Sequence, residues 1–182
     1  TDSGAMRRRI VEFHRNRDLY FRKHDMPGTR RLWTVCWTWA YLVRALAAVA
    51  LGSIVWMVVG YSLAFTGEGA VIGTFDRVLL QGMGIDAINP AAKTIPESVF
   101  MFYQLTFAVI TVALVAGSVA DRMRFSAFLW FVVGWILLVY VPIAHWVWGG
   151  GWLAKAGVLD FAGGTVVHLN AGVAGLVAAL VV

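Results

Sequence analysis

The chain has 182 residues, of which 60% are hydrophobic and only 14% charged, and its mean hydropathy is +0.74. A water-soluble domain is usually nearer roughly 45–50% apolar with about 25% charged residues, so too little polar surface is present to cover a sphere in water, and lipid is the expected solvent. The formal net charge of +5 is uneven: ten of the fifteen Lys and Arg lie between Arg7 and Arg44, and beyond Arg44 five basic residues face six acidic ones, which argues against a nucleic-acid surface over the whole chain.

The opening Thr1-Asp2-Ser3-Gly4-Ala5-Met6 lacks the basic and then apolar order of a signal peptide. Residues 1–44 read as an atypical basic N-terminal segment. Arg7, Arg8, Arg9, His14, Arg15, Arg17, Arg22 and Lys23 give no clean apolar face, and Trp33, Trp37 and Trp39 then cluster beside Arg30 and Arg31. On its own chemistry this is a basic juxtamembrane arm with interfacial tryptophans. Cys36 is the single cysteine, so no intrachain disulfide can form.

From residue 45 to 182 the chain reads as an all-α, polytopic helix bundle. Four charge-free stretches are long enough to cross a bilayer, which needs about 20 apolar residues: Ala45 to Phe65, Ser98 to Ala120, Phe125 to about Trp146 with an apolar tail to Leu153, and Phe161 to Val182. Backbone amides in hydrocarbon must bond within their own segment, so each is expected to be helical. Residues 66–97, with Pro90 and Pro96, form a long polar connection. Ala120 to Arg124 is a tight turn, and Gly149-Gly150-Gly151 opens a third connection reaching Asp160. The 121–124 turn carries two arginines and is expected on the cytoplasmic side, with the other two connections outside.

Four motifs are specific in this order and spacing: Gly60-Tyr61-Ser62-Leu63-Ala64-Phe65; Asp121-Arg122-Met123-Arg124-Phe125; Pro142 to Gly151, which contains His145, Trp146 and Trp148; and Asp160 to His168. Over residues 46–182 the chain resembles the ammonium transporter family (Amt/Mep/Rh). That resemblance implies an eleven-helix protomer of two inverted five-helix halves, of which the four spans would be helices 2–5. It also implies a homotrimer in the cell (inner) membrane working in nitrogen uptake, with ammonium or ammonia as substrate and a PII-type signal protein as a cytoplasmic partner. The family's first helix is expected to be apolar, with a Pro-Gly and a Phe-Tyr-Gly-Gly motif. Only Pro27-Gly28 is present, so a second reading is that residues 7–44 are translated out of frame, which resequencing the source DNA would decide.

His168 is the sharpest candidate residue. A histidine in an apolar span is costly and faces protein or water, and Gly164, His168, Gly172, Gly175 and Ala179 share a face by helical spacing. The plain alternative is a buried histidine bonded to a neighbouring helix. The resemblance makes it one of two pore histidines, a relay for protons or a partner for desolvated ammonia. Asp160 reads first as a helix N-cap, and the family carries an aspartate there that shapes the outer site. Trp148 reads as an interface anchor or, by resemblance, as a ring that binds a cation through its π cloud. Phe107 shares a face with Phe100 and Tyr103, and such a stripe is ordinarily packing. By resemblance Phe107 is one of two stacked gate phenylalanines, while Tyr103 departs from the phenylalanine expected at its position. His145 reads as structural. No catalytic, cofactor or metal motif stands out, and the Gly149–Gly151 run lacks the strand, helix and lysine of a phosphate loop. Two other classes remain open: an ammonium sensor with the same fold, and a haem protein using His145 and His168.

Overall fold

The computed structural model of the chain describes residues 15–16, 19–21, 23, 27–119 and 123–181. His14, most of the arginine-rich start, Asp121 and Arg122 lie outside the described residues. Among those described there is no strand, and four helices are long and apolar enough to cross a membrane: Gly28–Phe65, Glu97–Val119, Phe125–Lys155 and Gly164–Val181.

The first helix begins at Pro27, well before the expected Ala45. Hydropathy marks where lipid can begin; the hydrogen-bond ladder obeys different rules. Proline suits the first helical position, where its missing N–H is an orphan in any case, and from Thr29 to Leu51 no glycine or proline interrupts the run. Arg44, the charge that set the expected boundary, is satisfied locally. Its Nη1 donates to the Met123 carbonyl at 2.9 Å, and its guanidinium lies 5.9 Å from the Phe125 ring centre. Arg44, sixteen residues into the first span, is thereby tied to the turn between the second and third spans.

Three spans carry a π-helical turn: Trp56–Gly60, Ile136–Tyr140 and Gly164–Leu169. The second has a visible cause. Pro142 has no N–H to give to the previous turn and its ring crowds that turn, and one wide turn immediately before it absorbs the mismatch. The second span packs between the first and the fourth, and the third packs on the first. Trp56, fully buried, is the hub at the outer half: its ring meets Tyr61, Phe65 and Tyr140 edge-on at 5.9–6.2 Å, and its Nε1 donates to the Met101 carbonyl. Because lipid tails are as apolar as these side chains, close packing and interhelical hydrogen bonds carry such contacts, rather than exclusion of water.

The long connection of residues 66–96 folds back onto the helix ends instead of looping free. Glu97 is only 2% exposed and is paired with Arg77 (Nη2–Oε2 3.0 Å, Nε–Oε1 3.2 Å). The same carboxylate accepts from the Tyr61 hydroxyl at 3.0 Å, and Asn89 donates to that hydroxyl and to the Phe65 carbonyl. His145, fully buried in the third span, sets Nδ1 2.9 Å from the Ala64 carbonyl and Nε2 2.7 Å from the Gly69 carbonyl. It joins the third span both to the first and to the connection that follows it. Gly149 must be glycine for the same reason: a Cβ there would stand 2.0 Å from the Ala64 carbonyl oxygen.

Candidate functional site

The fourth span is positioned by Asp160. Its Oδ1 accepts from the N–H groups of Gly163 (2.7 Å) and Gly164 (2.8 Å), and its Oδ2 from those of Thr165 (2.8 Å) and Val166 (2.9 Å). One carboxylate thus takes the first N–H groups of a helix whose positive end also favours it. Gly163 allows this wrap because it sits at φ +85°, a left-handed conformation that side chains disfavour. The helix therefore starts at Gly164 rather than at the expected Phe161. Partial burial pushes the Asp160 carboxyl upward, but the four N–H bonds outweigh it and hold the group below its ordinary value.

The backbone of the same residue aims Trp148. This residue ends the helix Val141–Val147, and its indole Nε1 donates to the Asp160 carbonyl at 2.6 Å. The indole then meets the Phe107 ring at 5.2 Å and 60°, and Phe107 meets Tyr103 at 5.0 Å and 87°. Tyr103, Phe107 and Trp148 form a continuous edge-to-face aromatic run between the N-terminal half of the second span and the end of the helix Val141–Val147. Tyr103 is exposed and the other two are half-buried. Phe107 also stands against the start of the fourth span, 3.7 Å from where a Gly163 Cβ would lie.

His168 lies one wide turn below. Its backbone N–H donates to the Gly163 carbonyl at 2.9 Å, five residues back, as the π turn requires. Its ring is exposed on this chain and makes no hydrogen bond among the described residues. Four of the five sequence candidates, Tyr103, Phe107, Trp148 and Asp160, are joined directly by ring contacts or hydrogen bonds. His168 joins them through the backbone of Gly163.

Two expected groupings divide. Phe100 leaves the Tyr103–Phe107 stripe, because it is buried against Phe65 (5.0 Å) and Tyr61 (6.4 Å) and serves the interface between the first and second spans. The small-residue face of the fourth span also splits. Gly175 faces Ser118 of the second span, where an added Cβ would meet its Oγ at 3.4 Å, whereas Gly164, His168 and Gly172 stay exposed. Gly172 and Gly175 both lie in the α-helix Asn170–Val181, so they part where the second span covers that helix at Ser118. Reading by residue type passed over Gln104. Its Oε1 is buried without a partner among the described residues, and the signal was available, since an amide inside a charge-free span is costly.

His145 offers nothing to a haem, because both ring nitrogens are already against carbonyls. Among the described residues no cluster of three His, Cys, Asp or Glu is arranged for a metal ion.

Residues 37–182 match the model of the Ammonium Transporter Family. This chain belongs to that family. It is 52% identical over 139 residues to the ammonium transporter of Bacillus subtilis, covering 76% of this chain and 34% of that one, and 49% identical over 142 residues to that of Aquifex aeolicus, covering 77% and 33%. The fold is similar to the crystal structure of Saccharomyces cerevisiae Mep2 (TM-score 0.71, 37% identity, 78% of this chain and 33% of that chain) and of Candida albicans Mep2 (0.68, 38%, 75% and 30%). The chain spans about a third of the length of the relatives it matches. It is a multi-pass membrane protein of a transporter family, with the all-α helix bundle that its sequence implied.

Proposed function

We propose that these residues form the outer site and upper pore of an ammonium transporter, and that a complete protein carrying them moves ammonium or ammonia across the cell (inner) membrane. The observation that carries this is the aromatic run Tyr103–Phe107–Trp148 standing one helical turn outside the open imidazole of His168. A cation over an aromatic face gains about 0.5–2 kcal/mol, enough to gather ammonium at the mouth without trapping it. Phe107 then closes the way inward. Passing it strips water from the ion, which is costly for a charge in an apolar medium. Giving up a proton removes that cost, and a neutral imidazole beyond the gate both donates to and accepts from the ammonia that results. Potassium has no proton to lose and no N–H to offer, so the same path discriminates against it. In this reading Asp160 is a positioning residue: its carboxylate is committed to the helix start and its carbonyl to Trp148.

The complete protein works as a homotrimer and meets a PII-type signal protein at its cytoplasmic face. The domain division we propose, a basic N-terminal segment of residues 1–44 before a transporter domain of residues 45–182, falls within the helix Pro27–Val55. The test is Trp148→Ala and Trp148→Phe in the complete protein, with transport current recorded against ammonium concentration at equal surface expression. The alanine variant is expected to need several-fold more ammonium for half-maximal current and the phenylalanine variant to keep most of the affinity. An unchanged concentration dependence in Trp148→Ala would overturn the recruitment role.

A further inference from the structure

The first span is longer than a membrane requires. Its 38 residues from Gly28 to Phe65 make a helix about 57 Å long at 1.5 Å per residue, against a hydrocarbon core of about 30 Å and about 40–45 Å with both headgroup layers. The excess is at the inner end. Arg44 reaches the Met123 carbonyl at the turn between the second and third spans, so residues 28–43 project past the inner ends of those spans by about 24 Å.

The chemistry of this overhang fits neither water nor hydrocarbon. From Pro27 to Arg44 it contains Arg30, Arg31 and Arg44 and no Asp, Glu or Lys. Arg30, Trp33, Trp37, Tyr41 and Arg44 follow one another at spacings of three, four, four and three, which puts them on one helix face. Trp33 stacks on Trp37 (6.3 Å), and Trp37 meets Tyr41 at a tilt of 35° (5.8 Å). The other side presents large apolar groups, with Leu32 63% and Trp39 61% exposed. Tryptophan and arginine with no acidic residue match one layer of the membrane, the headgroup region, where indoles are wet at one end and positive charge meets lipid phosphate. A tilt of about 40° shortens 57 Å to about 44 Å, the thickness between opposite headgroup layers.

We infer that residues 28–43 form a tilted interfacial helix that binds anionic lipid headgroups of the inner leaflet, with Arg30 and Arg31 as the charge contacts and the Trp33–Trp37–Tyr41 ladder as the anchor. The charge complementarity selects lipid of negative headgroup over zwitterionic lipid. This surface is separate from the outer aromatic site and does not depend on the transport reading.

The single cysteine makes the inference measurable, because Cys36 is exposed in the middle of the overhang. The full chain is labelled there with a fluorophore and placed in nanodiscs of phosphatidylcholine, alone or mixed with phosphatidylglycerol. Quenching by acrylamide, which is uncharged, reports how far the label is withdrawn from water. Phosphatidylglycerol is expected to lower quenching at least twofold. The effect is expected to vanish in the R30Q/R31Q double variant, whose docking equilibrium falls about thirtyfold at the usual strength of a basic residue near an anionic surface. It is expected to shrink when salt is raised from about 0.1 M to about 1 M, which shortens the Debye length from about 10 Å to about 3 Å. Circular dichroism confirms that the double variant keeps its helix. Equal quenching in both lipids would overturn the inference, as would a phosphatidylglycerol effect that survives in R30Q/R31Q or ignores salt. Protection that follows the number of chains per disc rather than the lipid would assign the face to a second copy and overturn it equally.

Discussion

Replacing Asp160 with asparagine changes one oxygen to an NH2 group and almost nothing else in size. In the structure both oxygens are in use, each taking two N–H groups. Asparagine keeps one such pair, and with its oxygen on Gly163 and Gly164 it turns a donor toward Thr165 and Val166. Val166 is fully buried, so its N–H has no water to turn to. An orphaned buried donor costs about 1–3 kcal/mol, and the half-exposed Thr165 loses a bond worth about 0.5–1.5 kcal/mol. The expected loss is about 2–4 kcal/mol. Alanine frees the other pair as well and should cost about 1–2 kcal/mol more, mostly at buried Gly163. The assay is reversible unfolding of the chain in mixed micelles, followed by near-ultraviolet circular dichroism, with Trp148 as a local reporter because its indole leans on the Asp160 carbonyl. If Asp160→Asn costs under about 0.5 kcal/mol, or if asparagine and alanine are equally damaging, the four-donor arrangement is not what starts this helix.

Three further outcomes follow from the same geometry. The Asp160 carboxyl is held below its ordinary value, so its contribution to stability is full above the ordinary carboxylate range and is lost as pH falls through the lower folded-state value; the stability gap between the parent chain and Asp160→Asn should be flat from pH 7 to about 4 and then close, and a gap closing already between pH 7 and 5 would contradict the cause. Gly149→Ala should lower stability by about 2–3 kcal/mol, since its Cβ meets backbone rather than a movable side chain; a loss under about 0.5 kcal/mol in thermal unfolding would show that the His145 clasp yields. Glu97→Gln leaves Arg77, only 28% exposed, without its charge partner, and should cost about 2–3 kcal/mol, somewhat less than a fully buried pair, with faster proteolysis of the 66–96 connection as the second readout.

The residues that read clearly in the sequence are those whose cost is set by solvent. Four apolar runs without charge can only be spans, and the structure has them. The chain-order motifs placed Trp148, Asp160 and His168 near one another because they sit on short segments whose ends are fixed by glycine and by a cap. What spacing did not give came from two physical sources. Where the helix changes pitch, at Trp56–Gly60, Ile136–Tyr140 and Gly164–Leu169, regular spacing no longer counts a face correctly across the wide turn. Where neighbours divide a helix surface between them, like residues separate: Phe100 serves the first span while Phe107 serves the third and fourth. The first helix starts at Pro27, ahead of the charge-free stretch at Ala45, because arginine signals the edge of hydrocarbon and not the end of a helix. The partners of His145 are invisible in the sequence because both are backbone carbonyls far away along the chain.

In the proposed path, His168 is the group that lets ammonia pass only after its proton has gone. In the complete protein, His168→Asp or His168→Glu puts a carboxylate where an imidazole stood, which holds a cation in the path without asking it for a proton. The measurement is membrane current with ammonium and potassium offered separately, for the parent and for both acidic variants at equal surface expression. The expected result is potassium current in the variants and none in the parent. Variants that exclude potassium as fully as the parent would show that His168 is not the filter, and that its open imidazole is a packing residue for helices beyond those described.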